Sequence, residues 1–556
     1  MELLDRHFDT AFDAPDGIKK LRELILTLAM QGKLVPQDPK DQPASELLKA
    51  IEAEKKRLVK QGKIKEPKPL PPVSPEEVPY TLPKGWEWVK LRQISHDWGQ
   101  QTPNTPFTYI DVGSIDNGRG TISSDTQILE STEAPSRARK IVRKGTVIYS
   151  TVRPYLLNVA VVDQDFSPNA IVSTAFAILH PYSGVDGRFI YFFLRSPFFV
   201  RYVEANQKGV AYPAINDGDL FAGDFPLPPA AQQKRIVAKI DELMARCDAL
   251  EKLREERDAK RFAVHSTAVR QLLNVADVDG HIQARDFLGQ HFGELYTVKE
   301  NITELRKAIL QLAVMGKLVP QDPNDSPATV LLKQIEAEKK RLIKEGKIRE
   351  LKPLPPIKCE EIPYALPIGW GWVRLGDLIE LISGQHLGPE EYNENRVGFP
   401  YYTGPADFGL LNPIPSRWTH IDRALAINAD ILLTVKGAGV GKTNVLLEER
   451  AAISRQLMAL RVIGMDRDFV RYFLSTIFND LQALATGIAI PGIGRETVLF
   501  RLFPLPPLSE QRRIVAQIDL LMSMCGTLEQ QIESAGKTQS ALLAAMMAQY
   551  GGQRCA

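Results

Sequence analysis

Cysteine is scarce in this chain: Cys247, Cys359, Cys525 and Cys555 are scattered over 556 residues, with no CxxC pair and no neighbouring histidine. That pattern excludes a zinc ribbon or a disulfide scaffold and predicts a reduced, cytoplasmic setting. Long apolar runs are missing too. No stretch approaches the roughly 20 residues a bilayer requires, and the opening "MELLDRHFDTAFDAPDG" is acidic, which predicts neither a secretory leader nor a membrane association. Nor does one sign of charge dominate. Lysine plus arginine (69) and aspartate plus glutamate (67) nearly cancel, so a nucleic-acid function has to rest on local patches rather than on a global field. Catalytic signatures are equally sparse: no GxGxxG opens a helix, no HExxH is present, and there is neither an aromatic-flanked Pro-Pro tetrapeptide of the adenine-methyltransferase kind nor a clustered acidic pair of nuclease type.

What the chain does contain is a repeat. One constant spacing carries "GKLVPQDP" from Gly32 to Gly316, "IEAEKKRL" from Ile51 to Ile335, "KPLPP" from Lys68 to Lys352, and Trp86/Trp88 to Trp370/Trp372. Even His7-Phe8 maps onto His291-Phe292. The similarity then fades until "FPLPPAAQQKRIVAKI" (225–240) and "FPLPPLSEQRRIVAQI" (503–518), where it returns at a slightly shorter spacing. Each half therefore reads as repeated segment, variable segment (92–224 and 376–502), repeated segment. At this length the chain divides into about two to four domains.

The pieces differ in periodicity. Ile18, Leu21, Ile25 and Leu28 recur at helical spacing, as does "ASELLKAIEAEKKRLVKQGKI". The variable segments hold short β-branched runs such as "GTVIYSTV", "AIVSTAFAIL", "ADILLTV" and "AISRQLMALRVI", bounded by turn residues. The expected fold is mixed α/β, with two such domains separated by helical connectors. After each FPLPP phrase an apolar stripe recurs at steps of four and three: Ile236, Ile240, Leu243, Cys247 and Leu250 in one copy, and Ile514, Ile518, Leu521, Cys525, Leu528 and Ile532 in the other. Such stripes are a/d seams. They predict helices on the order of 60 Å long, at about 1.5 Å per residue, whose seams pair with each other within the chain; the alternative is that each seam packs on its own neighbouring domain.

These residues resemble the specificity subunits of type I restriction-modification systems. That family is similar in carrying two target-recognition domains, each followed by a "PLPP-x-x-EQ-x-x-IV" segment that opens a long helix. Pro504 to Val515 fits the pattern fully, whereas the first copy has Ala231-Gln232-Gln233 where the pattern has glutamate before glutamine. That difference removes one carboxylate from a helix first turn, worth about 0.3–1 kcal/mol. "GWEWVKL" and "GWGWVRLGDL" look like the family's domain openers, and "KGTVIYSTVRPYLLNVAVV" and "NADILLTVKGAGVGKTNVLL" look like its central strand-loop-strand. The resemblance covers nearly the whole chain.

It implies a pseudo-twofold α/β protein with two recognition domains joined by long antiparallel helices. The expected segments are 1–91 (helical lead-in), 92–229 (first recognition domain), 230–375 (central helical region with the second lead-in), 376–507 (second recognition domain) and 508–556 (terminal helix). It further implies a non-catalytic chain that reads a bipartite, asymmetric double-stranded DNA site and docks two methyltransferase subunits and, through them, two restriction/motor subunits. No cofactor is expected in this chain; S-adenosylmethionine, ATP and Mg are implied for the partners.

Within that frame the DNA-facing candidates are Lys436, Lys442 and Thr443 of "KGAGVGKT", Arg153 and Tyr155 of "STVRPYL", Lys208 and Tyr212 of "QKGVAYPAIN", and Arg495 and Thr497 of "ATGIAIPGIGRET". The basic run "RARKIVRK" adds Arg137, Arg139, Lys140, Arg143 and Lys144. Two rival functions remain open. "KGAGVGKT" approximates a phosphate loop, but Lys436 stands where that pattern has glycine and no long amphipathic helix follows Thr443. A two-domain protein-binding scaffold is the other.

Overall fold

The repeated phrase "GKL" is a helix stop. Helix α1 (Gly17–Met30) buries Ile18, Ile25 and Ala29 on one face. It ends where Gly32, at φ +66°, lets its own N–H and that of Lys33 donate to Ala29 and Leu28 carbonyls at 3.1 and 2.9 Å. This αL cap satisfies the carbonyls a helix end leaves over. A side chain at Gly32 would also strike Pro83 at 2.5 Å. Glycine is therefore required twice over. Helix α2 (Ala44–Lys60) follows.

The computed structural model describes residues 13–66, 70–74, 78–209, 211–274, 277–486 and 491–551. His7, Phe8, Lys68 and residues 487–490, all part of the repeat or loop phrases above, lie outside these. The chain forms two units: residues 1–256 with 534–556, and residues 257–533.

In the first unit, strand β1 (Glu87–Lys90) pairs antiparallel with β12 (Asp224–Leu227), placing Trp88 opposite Pro226. The two ends of the recognition segment are thus stitched together by the "WEWV" and "FPLP" phrases. Ten strands lie between: β2 (Ser95–His96), β3 (Phe107–Ile110), β4 (Ile115–Asp116), β5 (Thr121–Ile122), β6 (Gln127–Leu129), β7 (Ala138–Ile141), β8 (Val147–Ser150), β9 (Val159–Val161), β10 (Ala170–Ser173) and β11 (Phe176–Pro181). They form two four-stranded sheets, ordered β6-β3-β10-β7 and β2-β11-β8-β9, plus the β4-β5 hairpin. The run "AIVSTAFAIL" is two strands, because the chain leaves one sheet at Ser173 and enters the other at Phe176. Helices α3 (Gly187–Leu194) and α4 (Pro197–Asn206) cover the second sheet with Phe189, Phe193 and Phe199, all fully buried.

The 44-residue helix α5 (Ala230–Leu273) starts in this unit and ends in the second. The second unit adds α6 (Val278–Gln290), α7 (Lys299–Val314) and α8 (Ala328–Lys344), the last two repeating α1 and α2. Its edge pair is β13 (Gly371–Arg374) with β22 (Leu502–Leu505). Between them run β14 (Ile379–Ser383), β15 (Phe399–Tyr402), β16 (Trp418–Thr419), β17 (Leu425–Ile427), β18 (Ile431–Thr434), β19 (Thr443–Val445), β20 (Arg450–Ile453) and β21 (Leu457–Val462), ordered β16-β15-β20-β17 and β14-β21-β18-β19. The two four-stranded sheets repeat the first domain's order, including the parallel pairs β3–β10 and β15–β20, while the β4-β5 hairpin is reduced to a single bridge, Phe408 to Pro413. Helices α9 (Arg467–Thr476) and α10 (Phe478–Ala483) close it. Helix α11 (Leu508–Gly551) starts in the second unit and ends in the first, the opposite sense to α5.

Within its own unit, each seam is buried against a lead-in helix. Ile236, Ile240 and Cys247 are buried in one core with Ile18, Ile25 and Ala29 of α1, and Leu243 packs at its margin. Ile514, Ile518 and Cys525 are buried in a separate core with Ile302, Ile309 and Ala313 of α7, where Leu521, Leu528 and Ile532 are partly covered. Leu250 is exposed. Salt bridges fix the same choice. Arg22 of α1 reaches Asp248 and Glu251 of α5, both at 2.7 Å, and its repeat Arg306 of α7 reaches Glu529 of α11 at 3.0 Å. Each lead-in helix offers an equally apolar stripe without a long loop to close, so it captures the seam of its own half.

The Gln/Glu difference between the two FPLPP phrases proves to be more than a surface dipole term. Trp86 Nε1 donates to Gln232 Oε1 at 2.9 Å, and Trp370 Nε1 donates to Glu510 Oε2 at the same distance. Glu510 is buried and also accepts from Gln321 Nε2 at 2.7 Å. Burial, the largest influence, holds its pKa above the ordinary carboxylate value.

Candidate nucleic-acid interface

In the first domain, strand β8 stops at Ser150 because the next residues pair elsewhere. Val152 bridges to Ala214, and Arg153 N–H donates to Pro213 O at 2.8 Å. Lys208 bridges to Ala214 from the other side. The chain then makes a 3-10 turn, Pro154–Leu156, between two residues of positive φ, Arg153 (+49°) and Leu157 (+51°). A left-handed arginine and leucine each cost roughly 1–2 kcal/mol, a strain held by the surrounding hydrogen bonds. The result is an exposed pair of adjoining loops presenting Arg153, Tyr155, Lys208 and Tyr212. Tyr155 is 52% exposed and Tyr212 69%, and the Arg153 guanidinium lies 5.1 Å from the Tyr212 ring centroid. Solvent-facing aromatics interleaved with cations suit stacking on bases and pairing with phosphates.

The second domain builds the same loops with different side chains. Lys436 bridges to Gly492, and Gly437 N–H donates to Pro491 O at 2.8 Å, so Gly437 (φ +89°) occupies the place of the strained Arg153. Lys436 and Lys442 are exposed, and Thr443, half-buried, opens β19 opposite Leu433. The "KGAGVGKT" run is therefore a turn between two antiparallel strands, and no helix N-terminus follows it to hold a phosphate.

Other candidates lie elsewhere. Lys140 is buried, donating to Phe176 O at 2.6 Å and to Asp217 at 2.8 Å, and so is a structural cation. Arg139, half-buried, donates from Nη1 to Thr102 Oγ1 at 2.7 Å. Arg495 is half-buried, donating to Leu381 O at 2.9 Å and Ser383 Oγ at 2.8 Å, where it anchors β14. Thr497 lines a groove beside Tyr364 and Trp372. The run 137–144 is split by β7. Arg137 is exposed near the sheet switch, where its carbonyl accepts from Thr174 at 2.8 Å; exposed Arg143 and Lys144 lie past the other end of the strand. Arg143 stacks over Trp98 at 3.9 Å, and Trp98 in turn sits 4.6 and 4.8 Å from the rings of His96 and His180. Burial, with His96 and Arg143 adding to it, pushes the His180 pKa down to about 4.

Two hairpin tips escaped the sequence reading. The β4-β5 tip exposes Arg119, and its Asn117 Nδ2 donates to Leu156 O of the Arg153 turn at 3.0 Å. The corresponding tip after β15 carries Leu410, 97% exposed. Neither stands in a basic or periodic run, and only the Asn-Gly pair at 117–118 hinted at a turn.

No helix among the described residues is long and apolar enough to cross a membrane. The family model of the type I restriction modification DNA specificity domain matches twice, at residues 83–259 and 367–535. The chain is 34% identical to the type I restriction enzyme EcoAI specificity subunit of Escherichia coli, over 94% of this chain and 92% of that protein. It is 33% identical to the EcoEI specificity subunit of the same organism, with the same shares covered. A solved structure from work on complex assembly and conformational transition of the type I R-M system matches with a TM-score of 0.53 and 27% identity, covering 85% of this chain and 99% of that one. The duplicated domain, its two matched segments and the near-full-length relatives together place this chain in the family of type I restriction-modification specificity subunits.

Proposed function

We propose that two loop sets, 152–157 with residues 208, 209 and 211–214, and 435–443 with residues 486, 491 and 492, read the two unlike halves of one bipartite, asymmetric site in double-stranded DNA. The observation that carries this is the duplicated scaffold bearing diverged side chains: matching backbone bridges hold Val152 and Arg153 in one domain and Lys436 and Gly437 in the other. A common frame with different chemistry suits two reading heads that share docking symmetry but not sequence preference. Segments 92–229 and 376–507 are the recognition domains in this reading.

Two methyltransferase subunits dock on the helical parts, and two restriction/motor subunits join through them. The chain performs no bond chemistry itself and works in the cytoplasm. S-adenosylmethionine, ATP and Mg belong to the partners, and the partners also supply much of the phosphate neutralisation, since Lys and Arg barely outnumber Asp and Glu here. Isolated, the chain binds DNA weakly.

Mapping methylated bases in genomes with and without this gene tests the reading. The expected result is a bipartite motif that disappears with the gene; loss of no motif overturns it.

A further inference from the structure

Resting on that reading, we infer that the hairpin following the first parallel strand of each recognition domain is a second base-reading element, and that Leu410 contacts a thymine methyl group in the half-site read by the second domain. The hairpin occupies one topological place in both domains, after β3 and after β15, next to the candidate recognition loops. In the first domain it is braced by Asn117, and by Arg195, whose Nη1 donates to Asn117 O at 2.9 Å. Its Gly120 is obligatory, since a Cβ there would lie 1.8 Å from the Tyr191 hydroxyl.

The second hairpin is braced as firmly. Gly409 N–H donates to Asn412 O at 3.1 Å, Val445 N–H to Leu411 O at 3.0 Å, and Asn412 Nδ2 to Val445 O at 2.8 Å. Asn444 Nδ2 adds a bond to Gly409 O at 3.2 Å. A single exposed leucine on a surface is ordinary. Here Leu410, Leu411 and Ile414 are all exposed on one hairpin whose backbone is pinned, so the apolar tip is presented in a fixed position.

What faces the tip favours DNA over protein. Leu410 shares a cavity of about 440 Å³ with Lys307, Phe408, Lys442 and Phe478, and no carboxylate lines it. The equivalent tip carries Arg119, tied to the Arg153 turn. A cation in one domain and a leucine in the other, at one site beside basic loops, match the two kinds of base contact available in the major groove: polar edges, and the thymine methyl group that only apolar side chains can read.

The test uses the full chain assembled with its methyltransferase partner. Duplexes of its own site carry deoxyuridine in place of thymidine at one position at a time, which deletes only the methyl group. One position in the second half-site is expected to lower methylation roughly four- to tenfold, the worth of one buried methyl. Leu410→Ala should give the same loss, and the two changes together should be no worse than either alone. Arg119→Ala should alter preference in the first half-site only. The inference is overturned if the second half-site contains no thymine. It is equally overturned if Leu410→Ala leaves the rate unchanged, if its loss adds to that of every deoxyuridine, or if it releases the partner subunit in size-exclusion chromatography. Absence of any bipartite motif for the wild-type complex would instead defeat the broader reading first.

Discussion

Arg153 lays its guanidinium over Tyr212, 5.1 Å from the ring centroid, while its backbone N–H donates to Pro213 O at 2.8 Å. The side chain is thus aimed by a backbone that sits in the left-handed region at φ +49°.

Arg153→Gly should separate fold from recognition. Glycine relieves the left-handed strain, as Gly437 does in the second domain, so the melting temperature should hold or rise by about 1–2 °C. Methylation of the first half-site should fall sharply. A thermal melt alongside a methylation assay checks both; a variant that loses stability contradicts the strain argument.

Lys140 and Lys208 should part company. Lys140→Ala leaves the buried Phe176 carbonyl without its donor while Asp217, half exposed, turns to water, and should destabilise the fold by about 1–2 kcal/mol in denaturant titration. Lys208→Ala should leave stability alone and reduce the salt slope of DNA binding by the complex by about 1.

Removing the indole donors should cost unequal amounts. Trp86→Phe unpairs a neutral amide oxygen, about 1 kcal/mol beyond the packing loss, whereas Trp370→Phe deprives a buried carboxylate, about 2 kcal/mol. Because burial raises the Glu510 pKa, its charged form is the penalised one, and stability is lost as pH rises through that value. The gap between the variants should therefore narrow as pH falls toward 4.5, which chemical denaturation at several pH values will read.

Acid should find His180. Its folded pKa, about 4, lies below the ordinary histidine value of about 6.5, so the unfolded chain takes up the proton first and stability falls as pH drops from about 6.5 to about 4. His180→Gln can keep the bond to Thr146, 2.8 Å away, without a titrating ring. It should flatten that part of the stability profile; an unchanged slope would place the acid sensitivity elsewhere.

Much of the architecture was legible in local patterns. The β-branched runs marked strands and the stripes from Ile236 and Ile514 marked two long helices, whereas the glycine stops at 32 and 316 and the pairing of "WEWV" with "FPLP" emerged only from the structure. Of the candidate cations, Lys436 and Lys442 did fall on exposed turns. Lys140 and Arg495 were misread because a buried cation and a surface cation are the same letter; only the placement of Asp217 and of the Leu381 carbonyl tells them apart.

Taken alone, the sequence determined the duplication, the element types and the family, since periodicity, turn residues and repeated phrases are properties of neighbours along the chain. The tertiary structure decided what each apolar stripe touches, which arginines are exposed, and that two inconspicuous hairpin tips stand beside the candidate loops. Those are relations between residues far apart in sequence, chosen by which surfaces can close on each other at the least cost in chain entropy and unpaired polar groups.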